Sequence, residues 1–363
     1  MVEFSAIKTG SIPFSMASNR LSLEYMNRFL ISVILLAPYL PLRAQNDANS
    51  LQATAKNYTR DGDFSNAIVV LNRAIKLSPN NLELQKDLAF NYFLQKNYSQ
   101  SLETSKALLD RKDADEQCYQ LVGMVYKAID ERKECEKMYK QGIKRFPNSG
   151  ALYNEYGEML WTKQDYEAIK LWEKGIEVDP NYSSNYYNAS KFYFLTVDKV
   201  WSLIYGEIFV NLESYSKRTP EVKKILVEGY KKLFEDPSFL KNQNQKNAFA
   251  MAFLTVMNDQ SPAISGGVSA ESLTVLRSKF VLEWFDKFAG KFPFRLFEYH
   301  RQLLKEGMFD AYNQWIFGAA QNLIAFQNWT TAHTDEYNRF INFQKGRVYK
   351  LPGGQYYHLI PAK

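Results

Sequence analysis

The segment LQATAKNYTRDGDFSNAIVVLNRAIKLSP, residues 51–79, decides the fold because its pattern returns along the chain. Tyr58, Tyr92 and Tyr126 stand 34 residues apart, and a small residue precedes each of them by three positions. These small residues are Ala55, Ala89 and Gly123. A fixed period of this length indicates an array of repeated helical units.

Five units follow one another, with small residues where two helices approach and large aromatic residues where neighbouring units interlock. The first covers about Asn49 to Ser78, and the second, about Leu82 to Asp115, is weaker because Leu108 replaces a small residue. The third and fourth units, and a degenerate fifth, are marked by Tyr119, Gly123, Tyr126, Cys135, Gly142, Pro147, Tyr156, Gly157, Ala168, Trp172, Gly175, Pro180, Tyr186, Ala189 and Tyr193.

This pattern resembles the tetratricopeptide repeat (TPR), a helix-turn-helix unit of 34 residues. The resemblance implies an all-α fold, an α-solenoid of helical hairpins over residues 45–215, followed by a further helical region over 216–363. A generic amphipathic helical bundle is the alternative.

The N-terminal residues predict export. From Met26 the chain reads MNRFLISVILLAPYLPLRAQ, with Arg28, an apolar run over 29–42, and Arg43-Ala44 before Gln45. This is the plan of a secretory signal peptide, and the run falls short of the ~20 residues of a membrane span. We expect residues 1–44 to be a leader cleaved after Ala44, with Met26 as the true start. The alternative is an uncleaved anchor in the inner membrane, facing the periplasm.

The charge gives no sign of nucleic-acid binding. Removing residues 1–44 takes away four basic and two acidic residues, so the net charge falls from +6 to +4, and no Lys/Arg block remains. Cys118 and Cys135 fall in the third unit, offset along its two helices, so we predict two buried thiols and no disulfide.

After residue 215 the 34-residue register fades, although helical signals continue. A helix should open at Thr219-Pro220 and run to about Phe234. Further elements are predicted as a helix from Leu240 to Met257, a loop from Asn258 to Ser272, a helix from Glu271 to Ala289, a diverged TPR-like hairpin from Phe294 to Phe326, and a short β-hairpin or an extended tail around Pro352-Gly353-Gly354.

The sequence predicts no enzyme, no cofactor and no metal. His300, His333 and His358 are far apart, and none has a partner at a ligand spacing. No phosphate-binding loop, dinucleotide motif or nucleophile elbow is present. A catalytic site would need distant residues of the C-terminal region to converge.

The repeat phase predicts a concave groove formed by the first helix of each unit. Trp161, Phe90 and Phe93 are expected to anchor a peptide, and the lysines to steer it. In the alternative, Phe90, Phe93 and Phe194 are buried by the following helix or by the C-terminal region. The predicted groove residues are Lys56, Arg60, Lys86, Phe90, Phe93, Met124, Lys127, Glu158, Trp161, Tyr187, Lys191 and Phe194.

These features favour a non-catalytic scaffold or adaptor in the bacterial cell envelope, periplasmic, with a protein or peptide partner in the groove. The carboxylate clamp of the TPR family is not supported, because Lys56 and Phe90 occupy the positions of its asparagines. The alternatives are an enzyme and a carbohydrate-directed protein, the latter using the aromatic residues Trp284, Tyr299, Trp315, Trp329, Tyr356 and Tyr357.

Overall fold

The computed structural model describes residues 39–235 and 247–358, and within these ranges the chain is all-α, as predicted, with no strand. Most of the predicted leader lies outside the described residues. The chain divides into two compact units, one ending at Ala114 and one beginning at Asp115. The predicted domain boundary near residue 215 stays a prediction.

The first unit consists of two helical hairpins, and its second, third and fourth helices begin at asparagine or aspartate caps. Asp63 accepts a hydrogen bond from the Asn66 backbone at 3.1 Å, and Asn81 and Asn97 cap the next two helices in the same way. The helices are α1 Tyr39–Arg60, α2 Phe64–Leu77, α3 Leu82–Leu94 and α4 Tyr98–Leu109.

The second unit begins with three more hairpins, which complete the five predicted from the repeat. Their helices are α5 Glu116–Ala128, α6 Arg132–Arg145, α7 Gly150–Trp161, α8 Ala168–Val178, α9 Ser183–Phe194 and α10 Lys199–Leu212.

Glycines let the two helices of these later hairpins approach closely. A Cβ atom on Gly123 would stand 2.2 Å from the Tyr139 hydroxyl, and one on Gly157 would stand 2.4 Å from Trp172 Nε1. The aromatic ring of the second helix therefore fills the space that a side chain on the first helix would need. This explains physically why small residues and aromatics alternate in the repeat.

The turn inside each of the first four hairpins contains one residue with positive φ. These residues are Gly62, Lys96, Asp130 and Gln164, at φ 82°, 63°, 59° and 58°, and they stand 34 residues apart. Only the first is glycine, so three turns hold an L-residue in the left-handed region, at a cost of roughly 1–2 kcal/mol each.

Both cysteines are buried and not bridged, in agreement with the prediction. Cys135 contacts the Gly123 carbonyl at 3.8 Å from the small-residue position of its hairpin. Burial raises the pKa of the Cys135 thiol to about 11, so the thiolate is disfavoured at neutral pH.

The C-terminal helices agree with the prediction where they are described, and two more were not predicted. The unpredicted pair covers Leu323–Ala332 and Thr334–Gly346, and a π-helical turn, Gln314–Gly318, interrupts the predicted second helix of the diverged hairpin. The helices are α11 Thr219–Glu235, α12 Ala248–Asp259, α13 Ala270–Lys287, α14 Arg295–Lys305, α15 Phe309–Asn313, α16 Ala319–Gln321, α17 Leu323–Ala332 and α18 Thr334–Gly346. A 3-10 turn, Ser261–Ile264, lies in the predicted loop.

Residues 347–358 form an extended tail, so the predicted β-hairpin around Pro352-Gly353-Gly354 is wrong. The two aromatic runs do not pair with each other because each is held by a different part of the chain, which leaves an extended tail laid over the helices. Leu351 bonds with Asn181, whereas Tyr357 packs on Phe249 of α12.

Candidate functional site

In the first unit, the predicted groove residues differ in exposure. Lys56 and Arg60 are exposed on α1, whereas Phe90 and Phe93 are half-buried on α3. Lys86 is buried, with its Nζ 2.7 Å from Glu83 Oε1. The structure therefore does not support Lys86 as a steering cation, because a side chain that packs into the hairpin and pairs with a neighbour projects little field into solvent.

In the second unit, the predicted residues lie on the first helices of three hairpins, α5, α7 and α9, and all are half-buried. Lys127 forms an ion pair with Glu155 of α7. The half-buried residues are Met124, Lys127, Glu158, Trp161, Tyr187, Lys191 and Phe194.

Three of these residues, Trp161, Lys191 and Phe194, meet in one pocket of about 560 Å³, which we call the Trp161 pocket. Its walls come from α7, α9 and α11, with Trp172 of α8 behind them. The repeat phase did not predict the α11 residues because the register fades before that helix. The other lining residues are Trp172, Asn188, Phe192, Leu195, Glu221, Lys224, Ile225 and Glu228.

An aromatic cluster forms the apolar wall of the pocket. The Trp161 ring lies 5.7 Å from Phe192, 5.9 Å from Tyr166 and 6.0 Å from Trp172. Leu195, at the end of α9, is 72% exposed beside it. Rings held by several aromatic contacts are rigid, so they present apolar area to a ligand at little entropic cost.

Two charged residues of the pocket, Lys191 and Glu221, are paired with each other. Lys191 Nζ lies 2.8 Å from Glu221 Oε1, and the Tyr187 hydroxyl donates to Glu221 Oε2 at 2.5 Å. The hydrogen bond from Lys191 lowers the pKa of the Glu221 carboxyl, which keeps the pair charged. Since Glu221 neutralises Lys191 locally, the predicted steering role of this lysine is weakened.

A polar network joins α7 and α9 next to the pocket. Asn188 Nδ2 donates to Asn154 Oδ1 at 2.8 Å and to Glu158 Oε1 at 3.2 Å. Asn154 in turn donates to Glu158 at 3.0 Å. These bonds occupy Glu158 and fix the spacing of the two helices.

The C-terminal region does bring distant titratable residues together, as a catalytic site would require. Glu207 Oε1 forms an ion pair with Arg277, lies 2.8 Å from His300 Nε2 and accepts a hydrogen bond from Tyr312 at 2.8 Å. Burial acts to raise the pKa of Glu207, but Arg277 and the other partners outweigh it and lower the pKa to about 2.

This cluster is closed to ligands. Glu207, Arg277 and His300 are each at most 4% exposed, and the cavity beside them measures about 10 Å³. A substrate needs far more room, so the cluster is a buried ion-pair network. Within residues 39–235 and 247–358, no group of three metal-ligating side chains converges, and no helix has the length and apolarity of a membrane span.

The aromatic residues of the carbohydrate hypothesis are mostly in the core. Trp284, Tyr299, Trp315 and Tyr357 are buried, and Trp284 packs on Phe297 at 4.8 Å. These four rings therefore have no face for a sugar, and only Trp329 and Tyr356 are half-exposed.

The comparisons with known proteins agree with the repeat pattern. A family model described as tetratricopeptide repeat matches residues 58–125. The chain contains tetratricopeptide repeats. Repeats of this family build extended concave binding surfaces, and a protein partner fits that architecture. A search of curated proteins returned no match.

Several solved structures resemble part of this TPR chain at low identity. A tetratricopeptide repeat protein from Parabacteroides merdae ATCC 43184 is 15% identical, with 76% of this chain and 100% of that chain covered, at a TM-score of 0.35. YrrB, described as a TPR protein with an unusual peptide-binding site, is 15% identical over 49% and 92%, at a TM-score of 0.33. TTC0263, a thermophilic TPR protein of Thermus thermophilus, is 17% identical over 53% and 88%, at a TM-score of 0.30.

Proposed function

We propose that the protein is a non-catalytic scaffold that binds a peptide segment of a partner protein, with an apolar side chain of the partner in the Trp161 pocket. The pocket carries this proposal because three residues of the predicted groove meet there around half-exposed aromatic rings. Its volume of about 560 Å³ lies in the range of about 300–1,000 Å³ usual for ligand sites.

The lining indicates what kind of side chain binds. Phe194, Leu195 and Ile225 offer apolar contacts, while the two lysines and two glutamates of the pocket balance in charge. A bulky, uncharged anchor such as Leu, Met or Phe fits this lining best, with the partner backbone along α7, α9 and α11.

The place of action belongs to the proposal as well. The signal-peptide pattern of residues 26–44 supports export to the periplasm, and the anchored form remains the alternative. Cell fractionation tests this, because a chain made from Met26 should be recovered from the periplasm with Gln45 as its first residue. Retention of that chain in the cytoplasm would refute export.

Binding can be tested with short random peptides displayed on phage and selected on the immobilised chain. Leu195→Asp places a charge in the Trp161 pocket at a position that is 72% exposed, so the fold should tolerate it. The matched control is Leu282→Asp on α13, where the leucine is 68% exposed and outside the pocket.

We expect the selected peptides to lose about tenfold or more in affinity for Leu195→Asp, as for a lost anchor contact, and to bind Leu282→Asp as they bind wild type. Trp161→Ala should act in the same direction, with a moderate loss of stability because Trp161 packs on Trp172. Peptides that bind Leu195→Asp and Trp161→Ala as tightly as wild type would refute the pocket.

A further inference from the structure

The C-terminal tail, residues 347–358, is held in the manner of a bound peptide. Asn181, in the turn between α8 and α9, donates from Nδ2 to the Leu351 carbonyl at 3.0 Å. The Leu351 amide donates back to Asn181 Oδ1 at 2.9 Å. One side-chain amide thus pairs with both backbone groups of one residue, which does not depend on that residue's side chain.

A second asparagine holds the other end of the tail. Asn247 Nδ2 donates to the carbonyls of Tyr357 at 2.8 Å and His358 at 2.7 Å. The Asn247 side chain also caps α12, where it accepts from the Ala250 amide at 2.8 Å. Its position is therefore fixed by the helix before it contacts the tail.

Three side chains of the tail are buried at or near the residues that these two asparagines hold. Tyr349 is 6%, Leu351 5% and Tyr357 8% exposed. Tyr357 stacks on Phe249 at 4.8 Å and its hydroxyl donates to the Pro293 carbonyl at 2.6 Å. Backbone hydrogen bonds that give affinity, with separate side-chain contacts that give selectivity, are the usual plan of extended-peptide recognition.

We propose that the surface beneath the tail is a second peptide-binding site, distinct from the Trp161 pocket, and that the chain's own tail blocks it. Its ligand is an extended segment of a partner protein with an aromatic residue two positions before a leucine. We call this surface, centred on Asn181 and Asn247, the tail site.

The tail competes with any partner segment because it is covalently attached to α18, next to the site that it occupies. Gly346 ends α18 directly before the tail, so the tail is present at an effective concentration on the order of millimolar. A partner segment binds strongly only when the tail leaves, and a chain with a weakened tail should bind such a segment more tightly.

The contacts also predict selectivity within the ligand. The Tyr349 hydroxyl is buried without a hydrogen-bond partner among the described residues, whereas the Tyr357 hydroxyl has one. An unpaired buried hydroxyl is costly and a paired one is favourable. A ligand with phenylalanine in place of Tyr349 should bind at least as well as the tail sequence. A ligand with phenylalanine in place of Tyr357 should bind less well.

The experiment uses a fluorescent peptide of residues 347–358 and the full chain carrying Leu351→Ala, which weakens the attached tail. Because the attached tail loses the burial of one leucine side chain, the peptide should bind this variant about tenfold or more tightly than wild type. A peptide that itself carries Leu351→Ala should bind the same variant chain about tenfold or more weakly than the unaltered peptide, since the attached tail is the same in both measurements. Asn338→Ala, at an exposed position of α18, should leave binding unchanged.

Peptide versions with Tyr349→Phe and Tyr357→Phe test the selectivity against each other. If the peptide does not bind the Leu351→Ala chain while circular dichroism shows native helix, the tail site is refuted. Equal affinity of the unaltered and the Leu351→Ala peptides would refute it too.

Hydrogen exchange of the wild-type chain gives an independent result, should Leu351→Ala fail to fold. We expect the Leu351 amide to exchange well before the amides of α10, because a tail that leaves its site opens without global unfolding. Exchange of both at the same slow rate would mean that the tail is an inseparable part of the core, and would overturn the proposal.

Discussion

Gly157→Ala tests whether helix approach explains the repeat pattern. Gly157 lies in α7, and a Cβ atom there would stand 2.4 Å from Trp172 Nε1 and 2.7 Å from Cδ1. The ring cannot move aside easily, because Trp172 is 2% exposed and its Nε1 donates to the Asn154 carbonyl at 3.3 Å. The substitution therefore forces the two helices apart or tilts a buried ring.

The sign of the effect separates this account from simple helix propensity. Glycine to alanine inside a helix normally stabilises by about 0.5–1 kcal/mol. Overpacking of a core costs about 1–3 kcal/mol, and the short distance places this site in the upper part of that range. We expect a net loss of about 1–2 kcal/mol, which corresponds to a fall in Tm of about 2–8 °C for a unit of this size.

Thermal unfolding followed by circular dichroism measures the change. Gly346→Ala is the matched control, because Gly346 lies in α18 and nothing lies within 4 Å of a Cβ at that position. Trp172→Phe should partly relieve the clash, so the double variant should lose less than the sum of the two single variants. A Gly157→Ala chain with an unchanged or higher Tm would refute the close-approach explanation.

Three further predictions concern strain and buried charge. Gln164→Gly should raise stability by about 1 kcal/mol in chemical denaturation, because it relieves a left-handed L-residue, and no gain would contradict the turn assignment. Burial raises the pKa of Asp198 to about 6 from 3.8, so wild-type stability should fall as pH rises from about 4 to 6. Asp198→Asn should then be more stable than wild type by up to about 3 kcal/mol at pH 7.5 and equal to it near pH 4. Equal stability at both pH values would refute the buried charge. Glu207→Gln leaves Arg277 buried without its counter-charge and should cost about 3–5 kcal/mol at pH 7. Because the pKa of Glu207 is lowered from 4.5 to about 2, wild-type stability should be retained above pH 4.5 and decline below it, and a pH-independent melting curve there would contradict the ion pair.

The sequence predicts the hairpins well because their cause is local and repeated. The same small and aromatic residues return each 34 positions, so Gly123 and Gly157 could be assigned to helix approach before the structure was known. The positive-φ positions return at the same period, but only Gly62 has the residue type that marks such a turn. Lys96 and its equivalents carry no such signal because surrounding structure, not residue preference, imposes their conformation.

Three residues that line the Trp161 pocket had been named as groove residues from the sequence, and the groove itself stays a prediction. Phase within the repeat identified Trp161, Lys191 and Phe194, since first-helix positions one residue after the core are fixed by helical geometry. It missed Ile225 and Lys224, because α11 lacks the repeat that the phase depends on. It also named Lys86 as a steering residue of the groove, whereas the packing of α3 buries this side chain.

The polar cluster and the tail site could not have been predicted from spacing. Glu207 meets His300 and Tyr312 across 93 and 105 residues, and Asn181 meets Leu351 across 170. No local period relates residues so far apart, and only the packing of the C-terminal helices on the last hairpin brings them together.

The two proposed sites share two helices, and neighbouring residues serve each site. On α8, Trp172 lines the Trp161 pocket, whereas Glu173 lies 3.0 Å from His358 at the end of the tail. On α9, Phe192 lines the pocket, whereas the Tyr193 hydroxyl lies 2.7 Å from the same histidine. Two adjoining faces of one helix cannot shift independently, because consecutive side chains are fixed on the same backbone. Any displacement of α9 that accompanies release of the tail must therefore move Phe192 and Phe194 in the pocket. Coupling free energies are reciprocal, so if such a displacement occurs, a ligand in the pocket alters the hold on the tail to the same extent that the tail alters the affinity of the pocket.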